Sequence, residues 1–568
     1  MDEIFGLFNN TKLKSKKITS INDISALIIF TRKCMDEGDF VGALGSIKRL
    51  LTAVKTKEEH NNCYYLMSRL YADLRIFSMS VNCAFRLLKN CDDEAIPFAE
   101  FLLGASFLGL GDTTAARYYL NSCLNSAPNS DISDSALECM QQINLECGHG
   151  LKVVGGTDYK QQTRDNELKN ANLLLAAGQN EEAMERLLEL NAKNITGASS
   201  SLALCHFFMG DVKKAIEVTK NVRKMSVFDQ CNLIIFYDAL LDFESQKKII
   251  DEIANRHGMA CEEYLKLGIT FAQIKRNDLV MKYLGMYLKY VDHDPEILLF
   301  YAISCLNCCE KENAKEALLT AQAIDMANGY IYKYYLNLAH FGMKYDLEYV
   351  IDIQNEERTK VNKRVSEMSG KSAAQFKKLI DLDFLDYVIR HDDVRGRGAL
   401  LLRVATQINS KEMDAFWEGV LLDVDVDTNI KYIILRARLL ALKDKKFAVT
   451  INGIYSWCDI GAVFALKKLI DENFLEGVVL AQMYAFQQEM GGDVSLKITK
   501  DDILNYIKAG EKEGAKKPLK YALAAVFAHR ACKDSQQGLT PKKLSKHFLI
   551  KEEDFWAAQE LFGDKCED

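Results

Sequence analysis

From Phe101 to Pro128 the chain reads FLLGASFLGLGDTTAARYYLNSCLNSAP, with Leu, Phe and Tyr at helical spacing. Small residues break the stripe at Gly104, Gly111 and Ala116. A glycine inside a helix costs about 1 kcal/mol relative to alanine, so Gly104 needs a physical reason. The pattern predicts two helices that cross closely at Gly104 and Ala116, with a turn at Gly111 and Asp112. Pro128 ends the second helix because it has no N–H to continue the ladder.

The same spacing recurs. An earlier copy has Phe30-Thr31, Cys34, Gly38-Asp39-Phe40, Ala43 and Ile47. The next has Met67-Ser68, Tyr71, Phe77, Ser80 and Ala84. After an interruption come Ala171, Leu174, Gly178, Ala183 and Leu187, then Leu202-Ala203, His206, Gly210-Asp211, Ala215 and Thr219. A degenerate copy has Leu233, Tyr237, Phe243 and Ile250, and a clear one has Tyr264, Leu267-Gly268, Phe271, Val280 and Leu284. The last has Tyr301-Ala302, Cys305, Ala314, Leu318 and Ala321.

This spacing resembles the tetratricopeptide repeat, a helix pair with the pattern W-x2-L-G-x2-Y, A-x3-F and P. The resemblance covers residues 20 to 345. It departs from the pattern in having no Trp at the first position, and in Gln246 and Val280 at the small site. It implies an all-α fold, an α-solenoid of helix hairpins.

Composition narrows the class. Only 5 prolines occur in 568 residues, which fits a nearly all-helical chain. A net charge of −7 weighs against nucleic acid as the main partner. The 16 cysteines include Cys34, Cys123, Cys205, Cys231 and Cys305 on apolar faces, where a free thiol acts as a small hydrophobe. The N-terminus lacks the basic start and apolar core of a secretory signal, and no uncharged apolar run approaches the ~20 residues of a membrane span. A reducing, cytoplasmic setting is expected, with no membrane association.

The expected organisation is an N-terminal repeat block with a capping helix at 20–147, a loop or hinge at 148–163, and a second repeat block at 164–345. A charged helix or linker comes next at 346–375. HEAT-like helical repeats are expected at 376–490, from the echo of Phe384, Val388, Val394 and Ala405 in Phe416, Val420, Val426 and Ala437. A helical cap closes the chain at 491–568.

Candidate chemistry is sparse. Cys305-x2-Cys308-Cys309 lacks the second ligand pair of a structural zinc site, and Cys139, Cys147 and His149 have irregular spacing. Asp423 to Asn429 reads DVDVDTN, but Thr428 and Ile434 stand where a calcium loop needs Gly and Glu. No phosphate loop, dinucleotide fingerprint, nucleophile elbow or zincin helix is present. No cofactor, metal or catalytic residue is expected, and the chain is read as a non-enzyme.

The resemblance assigns an inner groove to the first helix of each pair. Its partner-binding candidates are Arg32, Tyr65, Arg69, Phe101, Leu204, Phe207, Phe208, Ile269 and Ile303, with Ile28, Leu108, Leu265 and Leu299 beside them. Arg32 and Arg69 would form a basic entrance. The Lys/Asn/Arg set that clamps a C-terminal carboxylate in one subclass is absent, with Asn172 its one match. The expected function is a scaffold or adaptor that binds a protein or peptide. The alternative is a transcriptional or signalling regulator, because Gly538 to Phe562 has the rhythm of a helix-turn-helix. Against it, that segment's second helix begins Lys551-Glu552-Glu553-Asp554, where DNA readers meet phosphates.

Overall fold

The structure, a computed structural model, describes residues 24–146, 158–372, 381–441, 446–459, 463–488, 492–493, 498–511, 518–531 and 540–562, less some single positions within them. The first part of the expected hinge, 148–157, lies outside the described residues, as do Cys147 and His149. The chain forms two compact units, one of residues 1–150 with 356–568 and one of residues 151–355.

The first unit begins with three helix pairs: α1 (Ile24–Asp36) with α2 (Phe40–Ala53), α3 (Lys57–Asp73) with α4 (Phe77–Asn90), and α5 (Ile96–Gly109) with α6 (Thr113–Ser126). α7 (Asp131–Glu146) packs against the third pair. Each pair turns on one left-handed residue, Gly38 (φ 76°), Arg75 (φ 60°) or Gly111 (φ 80°). The next N–H returns to the carbonyl five residues earlier: Asp39 to Cys34, Ile76 to Tyr71 and Asp112 to Phe107, at 2.8–3.0 Å. This closes the first helix with the bond of a Schellman motif. Asp39 and Asp112 then cap the second helix through their carboxylates.

The small positions nest as their spacing predicts. Ala43, Ser80 and Ala116 are fully buried. A Cβ on Gly104 would stand 2.6 Å from Leu120 Cγ and 3.2 Å from the Leu120 nitrogen. Where serine replaces alanine its hydroxyl has partners: Ser80 Oγ donates to the Ser68 carbonyl and shares a 2.7 Å bond with Ser106 Oγ. That removes the cost of a buried hydroxyl.

The rest of this unit is not wholly helical. After α19 (Asn355–Gly370) and the helices Leu382–Arg390, Arg397–Gln407, Lys411–Leu422 and Thr428–Leu440, the chain forms a β-hairpin of β1 (Lys446–Ile451) and β2 (Ile454–Asp459). Asn452 (φ 50°) and Gly453 (φ 76°) make its two-residue turn, the preferred chemistry for a tight hairpin. A short β3 (Gly492–Asp493) pairs with β2 in parallel. Helical repeats across 376–490 are therefore corrected: two helix pairs are present, and the hairpin then breaks the helical series. Phe384, Val388, Val394 and Ala405 are buried as the echo implies, but Trp417 takes the core place expected of Phe416. Helices Glu472–Gln488, Lys500–Glu511, Lys520–Ala531, Pro541–His547 and Glu552–Leu561 complete the unit.

The hairpin docks on the N-terminal pairs. Tyr119 Oη donates to the Gly453 carbonyl at 3.1 Å and accepts from the Tyr455 N–H at 2.9 Å. The Tyr455 ring stacks on Phe85, with centroids 6.0 Å apart. Beside it, Asn82 donates to the Asp423 carboxylate at 2.9 Å and accepts from the Val424 N–H at 3.0 Å. Arg390 holds Asp423 and Asp386 together.

The second unit stacks five pairs: α8 (Asp158–Ala176) with α9 (Asn180–Ala192), α10 (Ala198–Phe208) with α11 (Val212–Lys220), α12 (Val227–Ala239) with α13 (Phe243–Ala254), α14 (Cys261–Gln273) with α15 (Asn277–Tyr287), and α16 (Pro295–Asn307) with α17 (Lys311–Ile324). α18 (Gly329–Phe341) packs on α17. The turns again use left-handed residues: Gly178, Gly210, Leu241, Lys275 and Cys309. Ala183, Ala215 and Ala314 are fully buried. The two departures at the small site have local answers. Gln246 donates to the Ile234 carbonyl and to Asp238, at 3.2 and 3.0 Å. Val280 is fully buried in the core of its pair, where Gly268 admits the side chain of Leu284.

After α18 the chain runs without helix or strand from residue 343 to 354, with a tight turn where the Val350 N–H donates to the Glu348 carbonyl and a bend at 351–352, and lies across the last pairs of its own unit. Leu347 and Ile353 are buried and Tyr349 half-buried, while Asp346, Glu348 and Ile351 are exposed, so the alternation of burial holds from 346 to 349 and breaks at 350–351. The expected charged stretch at 346–375 thus divides into this strap and α19, whose Val361, Val365 and Met368 are buried.

Candidate partner-binding surface

In the first unit the candidates lie on α1, α3 and α5. Arg32 and Phe101 are half-buried and Arg69 is exposed. Tyr65 is 9% exposed, so it belongs to the core and not to a groove wall. The entrance is not simply basic. Burial raises the Asp73 carboxyl above its ordinary value, Arg69 works against that, and Asp36 adds to it. Acids and bases therefore share this face.

In the second unit, α10 presents Leu204 and Phe207 half-buried and Phe208 57% exposed. Phe207 rests on Phe236 at a centroid distance of 4.9 Å and meets Phe208 at 5.8 Å. Met209 stands just past the end of α10, and the neighbouring α12–α13 turn exposes Leu240, Leu241 and Phe243. Large apolar side chains thus stand at the turn ends of two adjacent pairs. Exposed apolar surface on this scale marks interaction sites more often than isolated exposed residues do.

Ile269 on α14 is half-buried. Ile303 on α16 has no exposed surface, and neither has Leu299 one turn before it. Both are corrected from groove to core. One turn further along the same face, Asn307 is bonded to Leu347 of the strap. The end of α16, open in the repeat pattern, is crossed by the chain itself. The strap and its asparagine contacts are not foreseen by the repeat spacing; the period-two alternation from Tyr345 to Ile353 is the signal that marks them.

The other candidate chemistry finds structural roles. Burial pushes the Cys305 thiol up to about 12, as expected of an inert core cysteine. Cys309 is the left-handed turn residue of its pair. Among the described residues no cluster of His, Cys, Asp and Glu has a metal-holding arrangement. Asp423 is taken up by Asn82 and Arg390, and Asp427 caps the helix Thr428–Leu440 by accepting from the Asn429 N–H. Lys431, buried in that helix, donates to the Thr450 carbonyl and hydroxyl, both at 2.8 Å, and so ties it to β1. Among the described residues no helix is long and apolar enough to cross a membrane.

No family model matches the sequence. Among curated proteins, the "TPR repeat-containing protein YvcD" of Bacillus subtilis (strain 168) is 23% identical over 263 residues, 45% of this chain and 53% of that protein. The chain thus spans about half the length of the curated relative it matches. Among solved structures, the "Structure of Naa15/Naa10 bound to HypK-THB" aligns over 95% of this chain and 77% of the other, with 12% identity and a TM-score of 0.22. At that score the likeness says nothing about how this chain is arranged. Recurring helix pairs, left-handed turns and nested small residues make this chain a helical-repeat protein, similar to the tetratricopeptide-repeat relative it matches.

Proposed function

We propose that the protein is a non-enzymatic scaffold or adaptor that binds a protein partner through the repeats of its second unit. The observation that carries this is the exposed apolar side chains at two neighbouring turns, Phe208 and Met209 at one and Leu240, Leu241 and Phe243 at the other, with half-buried Phe207 against Phe208. Such an edge suits an amphipathic helix or another apolar segment, which gains by covering it. Arg32, Arg69 and Phe101 offer a second, more polar surface in the first unit.

A nucleic-acid-binding regulator has less support. The pair Pro541–His547 and Glu552–Leu561 buries Leu544, Phe555 and Ala558. Its second helix opens on Glu552, Glu553 and Asp554, whose charge repels a phosphate backbone.

The test is affinity capture from a lysate of the source organism, with the wild-type chain beside the Phe208→Asp, Leu241→Asp variant. The expected result is a protein held by the wild type and lost with the variant. An identical captured set removes this edge as the binding surface.

A further inference from the structure

The strap at 343–354 is bound to its own repeats in the manner of a peptide ligand. Asn307 is 3% exposed and grips one residue of the strap from both sides of its backbone. Its Oδ1 accepts from the Leu347 N–H at 2.8 Å, and its Nδ2 donates to the Leu347 carbonyl at 3.0 Å. The same Nδ2 reaches Asn277 Oδ1 at 3.1 Å, which in turn accepts from Tyr349 Oη at 2.5 Å. A two-point grip on the backbone of one residue leaves the side-chain sequence open.

Alternate side chains supply the selectivity. Tyr349 packs edge-on against Phe300 of α16 at 5.8 Å, and Leu347 and Ile353 are buried. Between them Glu348 is exposed, with Lys275 Nζ 3.8 Å from it, and the Asp352 carboxylate accepts from the Ile353 N–H. Further along, Tyr335 Oη donates to the Asp352 carbonyl at 3.0 Å and Gln354 donates to Tyr335 Oη at 2.9 Å. Side chains of three helices thus hold the strap, and within 344–354 it forms no strand ladder with them.

We infer that the Asn277–Asn307 face is a peptide-binding site filled in cis by residues 343–354, and that an acidic segment of a partner protein with the same alternation displaces the strap. An intramolecular occupant lowers the apparent affinity for an external one by the fraction of time the site is open. The strap therefore sets a threshold that a partner must exceed. This site is separate from the edge at Phe208, and neither needs the other to bind.

The probe is the synthetic peptide MKYDLEYVIDIQ, labelled at its N-terminus and titrated into full-length protein by fluorescence anisotropy. Leu347→Gly with Tyr349→Ala weakens the strap and leaves the site intact. The peptide is expected to bind that variant at least about tenfold more tightly than the wild type, and adding Asn307→Ala is expected to abolish the gain. Equal affinity for wild type and strap variant, or a gain that survives Asn307→Ala, overturns the inference. Hydrogen exchange on the wild type reads the same point without a variant. Excess peptide is expected to speed exchange at the Leu347 amide and leave the amides of α16 unchanged. A Leu347 amide unmoved by saturating peptide makes the strap a fixed part of the fold and overturns the inference as well.

Discussion

Tyr119 and Gly453, 334 positions apart in sequence, are joined by a hydrogen bond of 3.1 Å from the tyrosine hydroxyl to the glycine carbonyl. The same hydroxyl accepts from the Tyr455 N–H, so one oxygen serves the turn residue Gly453 and the start of β2. Tyr119→Phe leaves that buried N–H without its acceptor. The expected cost is about 1–3 kcal/mol of stability by urea unfolding. An unchanged midpoint contradicts the docking of the hairpin on the third pair.

Helix crossings make a paired prediction. Gly104→Leu is expected to destabilise the chain by about 1–3 kcal/mol, because Leu120 already fills the space. Gly45, in α2, has nothing within 4 Å of the place a Cβ would take, and Gly45→Ala is expected to stabilise by about 0.5–1 kcal/mol. Effects of the same sign at both positions mean that Gly104 does not mark a close approach.

The pair turns predict a gain from glycine. Arg75 is exposed and left-handed at φ 60°, where Gly38 and Gly111 serve in the pairs on either side. Arg75→Gly is expected to raise stability by up to about 1 kcal/mol by relieving that backbone strain, and Gly111→Ala to lower it by a similar amount. Thermal unfolding of the two variants reads both signs.

Lys431 predicts a pH dependence. Burial pushes its ammonium down to about 8 from 10.5, with Asp423 and Asp425 opposing the shift. Between those two values the unfolded chain still holds a proton that the folded chain has released. Stability owed to this residue therefore rises with pH across the window. Lys431→Met is expected to remove that rise, seen as a wild-type advantage that grows between the two values in parallel unfolding curves. A difference that stays flat or falls contradicts the burial of this amine.

The nesting of the pairs is legible in the sequence because it is a local constraint. A small residue is needed wherever two adjacent helices cross, and Ala43, Ala116, Ala183 and Ala215 show it directly. The turns are half legible. Glycine at 38, 111, 178 and 210 announces the left-handed residue, but Arg75, Leu241, Lys275 and Cys309 hold the same conformation without the signature. The hairpin carries its signal in plain form, Asn452-Gly453 between apolar runs, and a helical period imposed on that stretch hides it. The groove is the least legible element. Spacing places Ile303 and Tyr65 on a helix face, but whether that face meets solvent depends on segments far along the chain or on neighbouring helices. The strap at 343–354 crosses α16 at Asn307 and Phe300, and no local pattern on α16 foretells it.

The affinity of an identified captured partner for the wild-type chain and for the Phe208→Asp, Leu241→Asp variant tests the binding claim most directly. Both proteins should show matching thermal unfolding, since both side chains are largely exposed. The account predicts at least about a tenfold weaker dissociation constant for the variant, as expected when anchors of an apolar contact become charged. Equal affinities would place the partner elsewhere and contradict the role given to this edge.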